Sequence, residues 1–89
     1  DFAVRWGGEE FLIVLQDCTL KEGQAVAEKL RQAVEAATPC ATEPSIKVTI
    51  SIGVSQFNGY ESADQTVNRA DTALYAAKAS GRNRVCQAV

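Results

Sequence analysis

The stretch Phe2-Ala-Val-Arg-Trp-Gly-Gly-Glu-Glu-Phe-Leu-Ile-Val-Leu-Gln16 sets two β-prone runs, Phe2 to Trp6 and Phe11 to Gln16, on either side of Gly7-Gly8-Glu9-Glu10. A short glycine-containing connection between such runs reads as a β-hairpin. Two readings of the tip stay open. Paired glycines and exposed glutamates are ordinary turn chemistry. Paired glycines also let backbone amides approach an anion closely, and adjacent carboxylates offer hard oxygen ligands to a cation such as Mg²⁺.

Working outward, Thr19-Leu-Lys-Glu22 has the spacing of a capping box, in which the threonine hydroxyl and the glutamate satisfy free amides of a first helical turn. Val26, Leu30, Val34 and Ala37 recur at helical spacing, which predicts an amphipathic helix over Leu20–Ala37. Pro39 and Pro44 bracket a loop after it. From Lys47 to Gln56, Val48, Ile50, Ile52 and Val54 alternate with polar or small residues, which predicts a strand whose single apolar face packs under the helices. Ser62-Ala-Asp-Gln65 repeats the capping-box spacing and opens a second helix through Val67, Ala70, Leu74 and Ala77, with Gly81 placed to end it in a left-handed cap. Arg84-Val-Cys86 closes the pattern as a short strand. The order strand, strand, helix, strand, helix, strand indicates an α+β sandwich with helices against one sheet.

Lys78, Arg82 and Arg84 cluster at the end of the second helix. Such cations complement phosphate charge, and they equally complement the negative end of a helix dipole. Both roles remain open on spacing alone.

Composition narrows the chemistry. The 89 residues suit one domain at most, and 46% hydrophobic with 22% charged residues is a globular balance. A net charge of −2 supplies no global basic field for nonspecific nucleic-acid binding. No apolar run is long enough to cross a bilayer, so this segment is expected to make no membrane contact. The chain has no histidine, which removes the commonest general base and the Ser-His and Cys-His arrangements. Cys18, Cys40 and Cys86 are odd in number and widely spaced, consistent with reduced thiols in a cytoplasmic protein. Chemistry here falls to carboxylates, lysine and arginine.

Together, "RWGGEEF" (Arg5–Phe11), "VTISIGVS" (Val48–Ser55) and "NRADTALYAAKASGRNRV" (Asn68–Val85) resemble the GGDEF domain of bacterial diguanylate cyclases, in order and in spacing, over nearly the whole chain. The resemblance implies a fold related to the palm of nucleotidyl cyclases and polymerases, a ferredoxin-like sandwich. It implies condensation of two GTP into cyclic di-GMP, with release of pyrophosphate, at the interface of a homodimer and assisted by Mg²⁺ or Mn²⁺. Gly7 and Gly8 match the glycines along the nucleotide. Glu9 matches the acidic position that binds metal and takes part in activating the 3′-hydroxyl; Glu10 matches the second acidic position, also assigned here to metal and catalysis. Lys78 and Arg82 match the basic pair on the β- and γ-phosphates. Asp71 is a motif residue expected to be structural, pairing with an arginine or capping locally. Asp1 stands where the family's Arg-x-x-Asp element has its aspartate, which implies a product-inhibition site completed by Lys29 or Arg31.

The chain opens at Asp1, already inside a strand pattern, and is expected to lack the family's first strand and first helices, with their metal-binding aspartate and guanine-reading residues. Two consequences are expected. The 89-residue piece alone is inactive, and its unpaired strand edges either join directly in a rearranged sheet or self-associate. A cytoplasmic site of action is expected, in a parent that is free or tethered to a membrane. The alternative is a noncatalytic regulatory domain that binds GTP or cyclic di-GMP.

Overall fold

The structure, a computed structural model, describes residues 2–7, 10–37, 42–43 and 45–88. Strands β1 (Phe2–Gly7) and β2 (Glu10–Val14) form the expected antiparallel hairpin. Pairing runs in step from Phe2↔Val14 to Arg5↔Phe11 and then jumps to Gly7↔Glu10. One extra residue on β1 therefore makes a β-bulge immediately before Gly7. On β2, Glu10, Leu12 and Val14 share a half-buried face, while Phe11 and Ile13 share an exposed one.

Both capping boxes are formed. In α1 (Leu20–Ala36) the Glu22 amide donates to Thr19 Oγ1 and the Thr19 amide donates to the Glu22 carboxylate. In α2 (Ala63–Ala79) Ser62 and Gln65 repeat the exchange. The end of α2 is a Schellman turn: the Arg82 amide reaches back to the Ala77 carbonyl at 2.9 Å and the Gly81 amide to the Lys78 carbonyl at 3.5 Å. Gly81 takes φ +127°, the left-handed position expected of it.

The third strand is much shorter than its pattern predicts. β3 (Ile52–Val54) pairs in parallel with β4 (Val85–Gln87), and residues 46–51 form no strand. Alternation marks what a strand needs on its faces; a ladder also needs a partner along its edge. Only β4 supplies one among the described residues, three residues long and one residue later than expected, so Ile46 and Val48 remain 47% and 45% exposed.

The helices do not share one face of that sheet, contrary to the one-sided packing the alternation suggests. A Cβ on Gly53 would fall 2.1 Å from the Ala70 carbonyl oxygen and 2.4 Å from the Leu74 amide nitrogen, so β3 lies directly against the α2 backbone. Neighbouring Val54 points the other way, its Cγ1 3.6 Å from where a Cβ on Gly23 of α1 would stand. Helix α1 covers one face of the β3–β4 pair and α2 the other. The α1 face that packs carries Gly23 and buried Ala27, and the expected apolar positions Val26 and Leu30 stay 39% exposed. Small residues win at both contacts because they bring helix and sheet backbones close. Among the described residues the buried apolar ones are likewise small: Ala27, Ala73 and Ala77.

The loop between β3 and α2 is tied down from three sides. Gln56 Oε1 accepts from the Leu20 amide at 3.2 Å, Arg69 donates to the Gln56 carbonyl at 2.6 Å, and Arg69 also forms an ion pair with Glu61. The Asn58 side chain accepts from the Tyr60 and Glu61 amides.

The chain thus has the expected α+β order of hairpin, helix, strand, helix, strand, in two two-stranded sheets rather than one. Among the described residues the hairpin does not pair with β3, unlike the direct rearrangement of those edges expected above. The radius of gyration is 13.9 Å, against about 12 Å for a compact domain of this length.

Candidate active site

Glu10 begins β2 opposite Gly7, directly after the bulge. Gly8 and Glu9, between those two, lie outside the described residues, as does Asp1. Glu10 lines an open cleft of about 410 Å³ together with Asp64, Val67, Asn68 and Asp71 of α2. Asp64, Asn68 and Asp71 are spaced i, i+4, i+7 and share one helix face, and Lys78 lies a further seven residues along the same stripe. Seven residues of helix rise about 10 Å. The acidic hairpin tip and the basic end of α2 are therefore served by one helix face, at different heights along it. Lys78 and Arg82 are not among the described residues that line the cleft beside Glu10.

Asp71 does not play the pairing or capping role expected of it. Its side chain is exposed on the cleft and makes no hydrogen bond or ion pair among the described residues. The physical reason is its position: the arginine nearest in sequence, Arg69, points to the opposite task of holding Glu61 and the Gln56 carbonyl.

Lys78 and Arg82 are both exposed and unpaired among the described residues. They stand on either side of the Schellman turn, whose amides already serve the helix carbonyls. Since the C-terminal end of a helix carries negative partial charge, an anion there must be held by the side-chain cations. Arg82 and Asn83 both have positive φ, 63° and 47°, directly after Gly81.

The two candidates for the inhibitory basic residue differ sharply. Lys29 is exposed and unpaired among the described residues. Arg31 has a side chain only 15% exposed, bound to Glu28 at 2.5 Å, to Glu35 at 3.4 Å and to Asn83 Oδ1 at 2.9 Å. The hydrogen bonds from Arg31 hold the Glu28 carboxyl below the ordinary glutamate value, and those to Glu28 raise Arg31. On the loop before α2, Arg69 lowers Glu61 in the same way.

No three His, Cys, Asp or Glu side chains converge to hold a metal ion among the described residues. Glu10 is a single carboxylate, which suits a cation completed by another acidic residue and substrate phosphates rather than an all-protein cage. Cys18 and Cys86 are free thiols, and Cys40 lies outside the described residues. No helix is long and apolar enough to cross a membrane.

Sequence reasoning passed over Asn83, Arg69 and Glu61, which fix the two loops at the ends of α2. The available signal for Asn83 is its place two residues after the capping glycine, since asparagine tolerates positive φ better than most residues.

Compared with known proteins, residues 1–84 match the family model "Diguanylate cyclase, GGDEF domain". Diguanylate cyclase A of Treponema denticola is 49% identical over 86 residues, which cover 96% of this chain and 23% of that protein. The active GGEEF domain of a diguanylate cyclase from Vibrio cholerae superimposes with a TM-score of 0.89 at 34% identity, over 99% of this chain and 56% of that one. The GGDEF domain of DgcB from Caulobacter crescentus, solved in complex with c-di-GMP, gives 0.88 at 32% identity, over 97% of this chain and 52% of that one. The fold and the hairpin-tip signature thus define a palm-like α+β domain, and the chain belongs to the diguanylate cyclase GGDEF family. It spans about a quarter of the length of the Treponema relative and just over half of the two solved domains.

Proposed function

We propose that this chain forms part of the catalytic domain of a diguanylate cyclase, which joins two GTP into cyclic di-GMP and releases pyrophosphate. The observation that carries the reading is the pairing of Gly7 with Glu10 directly after a bulge on β1, which brackets the Gly-Gly-Glu-Glu signature of the sequence. In this reading the 3′-hydroxyl of one GTP attacks the α-phosphate of the other; the new O3′–P bond forms as the bond to pyrophosphate breaks. Glu9 receives or orients the hydroxyl proton, and Glu9 with Glu10 supplies carboxylates to a divalent cation, Mg²⁺ or Mn²⁺. Such an ion, when bound, polarises the phosphate and favours the ionised hydroxyl. Gly7 and Gly8 leave room for the nucleotide backbone. Lys78 and Arg82 take the β- and γ-phosphates and offset the charge that develops on the leaving pyrophosphate.

Each domain brings one nucleotide, so activity requires a homodimer of the full polypeptide. The 89-residue piece holds only part of the site and is inactive by itself. Of the basic candidates to complete a product-inhibition site with Asp1, Lys29 is the freer among the described residues, because Arg31 is already committed to Glu28, Glu35 and Asn83. Action in the cytoplasm, where GTP is available, follows from the same reading, with a parent either free or membrane-tethered.

The test is to incubate the full polypeptide with GTP and Mg²⁺ and to measure cyclic di-GMP and pyrophosphate. Both products should accumulate. A folded, dimeric protein that binds GTP or cyclic di-GMP but forms no product would instead establish a regulatory binding domain.

A further inference from the structure

Three consecutive residues after α2, Gly81, Arg82 and Asn83, have positive φ, and two of them carry side chains. Left-handed backbone at non-glycine residues persists where the surroundings over-determine it. At Asn83 they do. Its amide donates to Ser51 Oγ at 3.1 Å, its Oδ1 accepts from Arg31 Nη1 at 2.9 Å, and its Nδ2 donates to the Glu35 carboxylate at 2.5 Å. Arg31 is itself fixed by Glu28 and Glu35. The Arg82 carbonyl is held from two residues on, by Arg84 Nε at 3.0 Å, and its amide by the Ala77 carbonyl. Arg82 is therefore clamped between a helix cap on one side and a three-bond anchor on the other, while its own guanidinium points to solvent unpaired among the described residues.

We propose that Asn83 is a positioning residue for Arg82, anchored to α1 through Arg31 and Glu35, so that α1 sets the direction of the cation that meets the outer phosphates of GTP. The proposal rests on the phosphate role of Arg82 given above. The anchor lies behind the turn, on residues that do not reach the hairpin cleft, so its effect on substrate passes through Arg82. A long side chain rooted in a left-handed residue loses its aim when that backbone relaxes, and a binding group must be held to within a fraction of an ångström to keep its full effect.

The experiment is a double-mutant cycle in the full polypeptide, using GTP and GMP as probes. Asn83→Gly keeps the freedom for positive φ and removes only the side-chain anchor. It should weaken GTP about tenfold, which is ~1.4 kcal/mol, and leave GMP, which lacks the β- and γ-phosphates, within about twofold. Arg82→Ala should weaken GTP at least as much, and the double variant should be no weaker than Arg82→Ala alone, because coupled residues are not additive. Glu35→Ala, on the solvent side of α1, should shift GTP in the same direction by a smaller factor. It also serves as the reading if Asn83→Gly does not fold.

Equal losses for GTP and GMP, or an Asn83→Gly effect that adds in full to Arg82→Ala, would overturn the positioning role. If Arg82→Ala leaves GTP affinity unchanged, the phosphate role of Arg82 falls first, and the positioning role with it. A purely structural Asn83 would lower stability while leaving the GTP-to-GMP ratio intact.

Discussion

Replacing Gly53 by alanine tests the packing that orients α2, the helix whose face serves both ends of the site. The added Cβ meets backbone at 2.1 Å on the Ala70 oxygen, 2.4 Å on the Leu74 nitrogen and 2.9 Å on the Leu74 Cα. These atoms belong to a hydrogen-bonded helix, so no side-chain rotation relieves the clash. Moving the Ala70 contact from 2.1 to 3.0 Å, the shortest distance real Cβ atoms tolerate, requires α2 and β3 to separate by 0.9 Å. Overpacking of this kind costs about 1–3 kcal/mol, and contact with rigid backbone puts this site at about 3. A loss of that size lowers the melting temperature of a domain this small by about 10–20 °C. The same substitution at Gly23 makes a sharp control. A Cβ there meets Val54 Cγ1 at 3.6 Å and Cys18 Sγ at 3.9 Å, ordinary contacts, inside helix α1. Alanine is favoured over glycine in a helix by about 0.8–1 kcal/mol, so Gly23→Ala should stabilise. Thermal and urea unfolding of both variants, followed by far-ultraviolet circular dichroism, should show opposite signs. A Gly53→Ala variant as stable as the wild type would refute the close approach of β3 to α2.

The caps, the ion pairs and the turn after α2 each give a further outcome. Thr19→Ala and Ser62→Ala each remove half of a formed capping box and should each cost about 1 kcal/mol in the same unfolding measurement. Arg69 holds Glu61 below the ordinary glutamate value of 4.5. The pair's contribution is thus fully present above pH 4.5 and lost as pH falls through the lowered value. Urea titrations across pH should show a constant gap between wild type and Glu61→Gln near neutrality, closing in acid; a gap that widens in acid would contradict the assignment. Gly81→Ala places a Cβ at φ +127°, 2.5 Å from Arg84 Nη2, and should destabilise the end of α2. Hydrogen exchange at the Gly81 and Arg82 amides should report the loss directly.

What the sequence makes legible is local. The capping boxes at Thr19 and Ser62, the hairpin around the glycine pair, and the left-handed cap at Gly81 each depend on residues within a few positions of one another, and each is present. What it hides depends on partners far along the chain. The alternation of Val48 to Val54 is genuine, but only Ile52–Val54 finds a strand to pair with, so pattern length overstates strand length. The Val26–Leu30 stripe marks an apolar helix face. It does not reveal that the tight contact is made one step around the helix, where Gly23 and Ala27 allow close approach.

The site divides in the same manner. Motif spacing singles out Gly7, Glu10, Lys78 and Arg82; Gly7 pairs with Glu10 across the hairpin, and Lys78 and Arg82 flank the turn that ends α2. The anchor behind Arg82 was not legible. Asn83 meets Arg31, Glu35 and Ser51 across 52, 48 and 32 residues, and no local pattern announces such contacts. Asp71 shows the converse: a motif position expected to pair or cap locally stands exposed on the open cleft beside Glu10.

The central claim is that the hairpin-tip carboxylates drive GTP condensation. It is met most directly by comparing the full polypeptide with its Glu9→Ala variant, both shown to be folded and dimeric, for cyclic di-GMP formed from GTP and Mg²⁺. Product should form with the wild type, and the variant should lose at least about a hundredfold in rate, ~2.7 kcal/mol of transition-state stabilisation. Equal rates from the two proteins would contradict it.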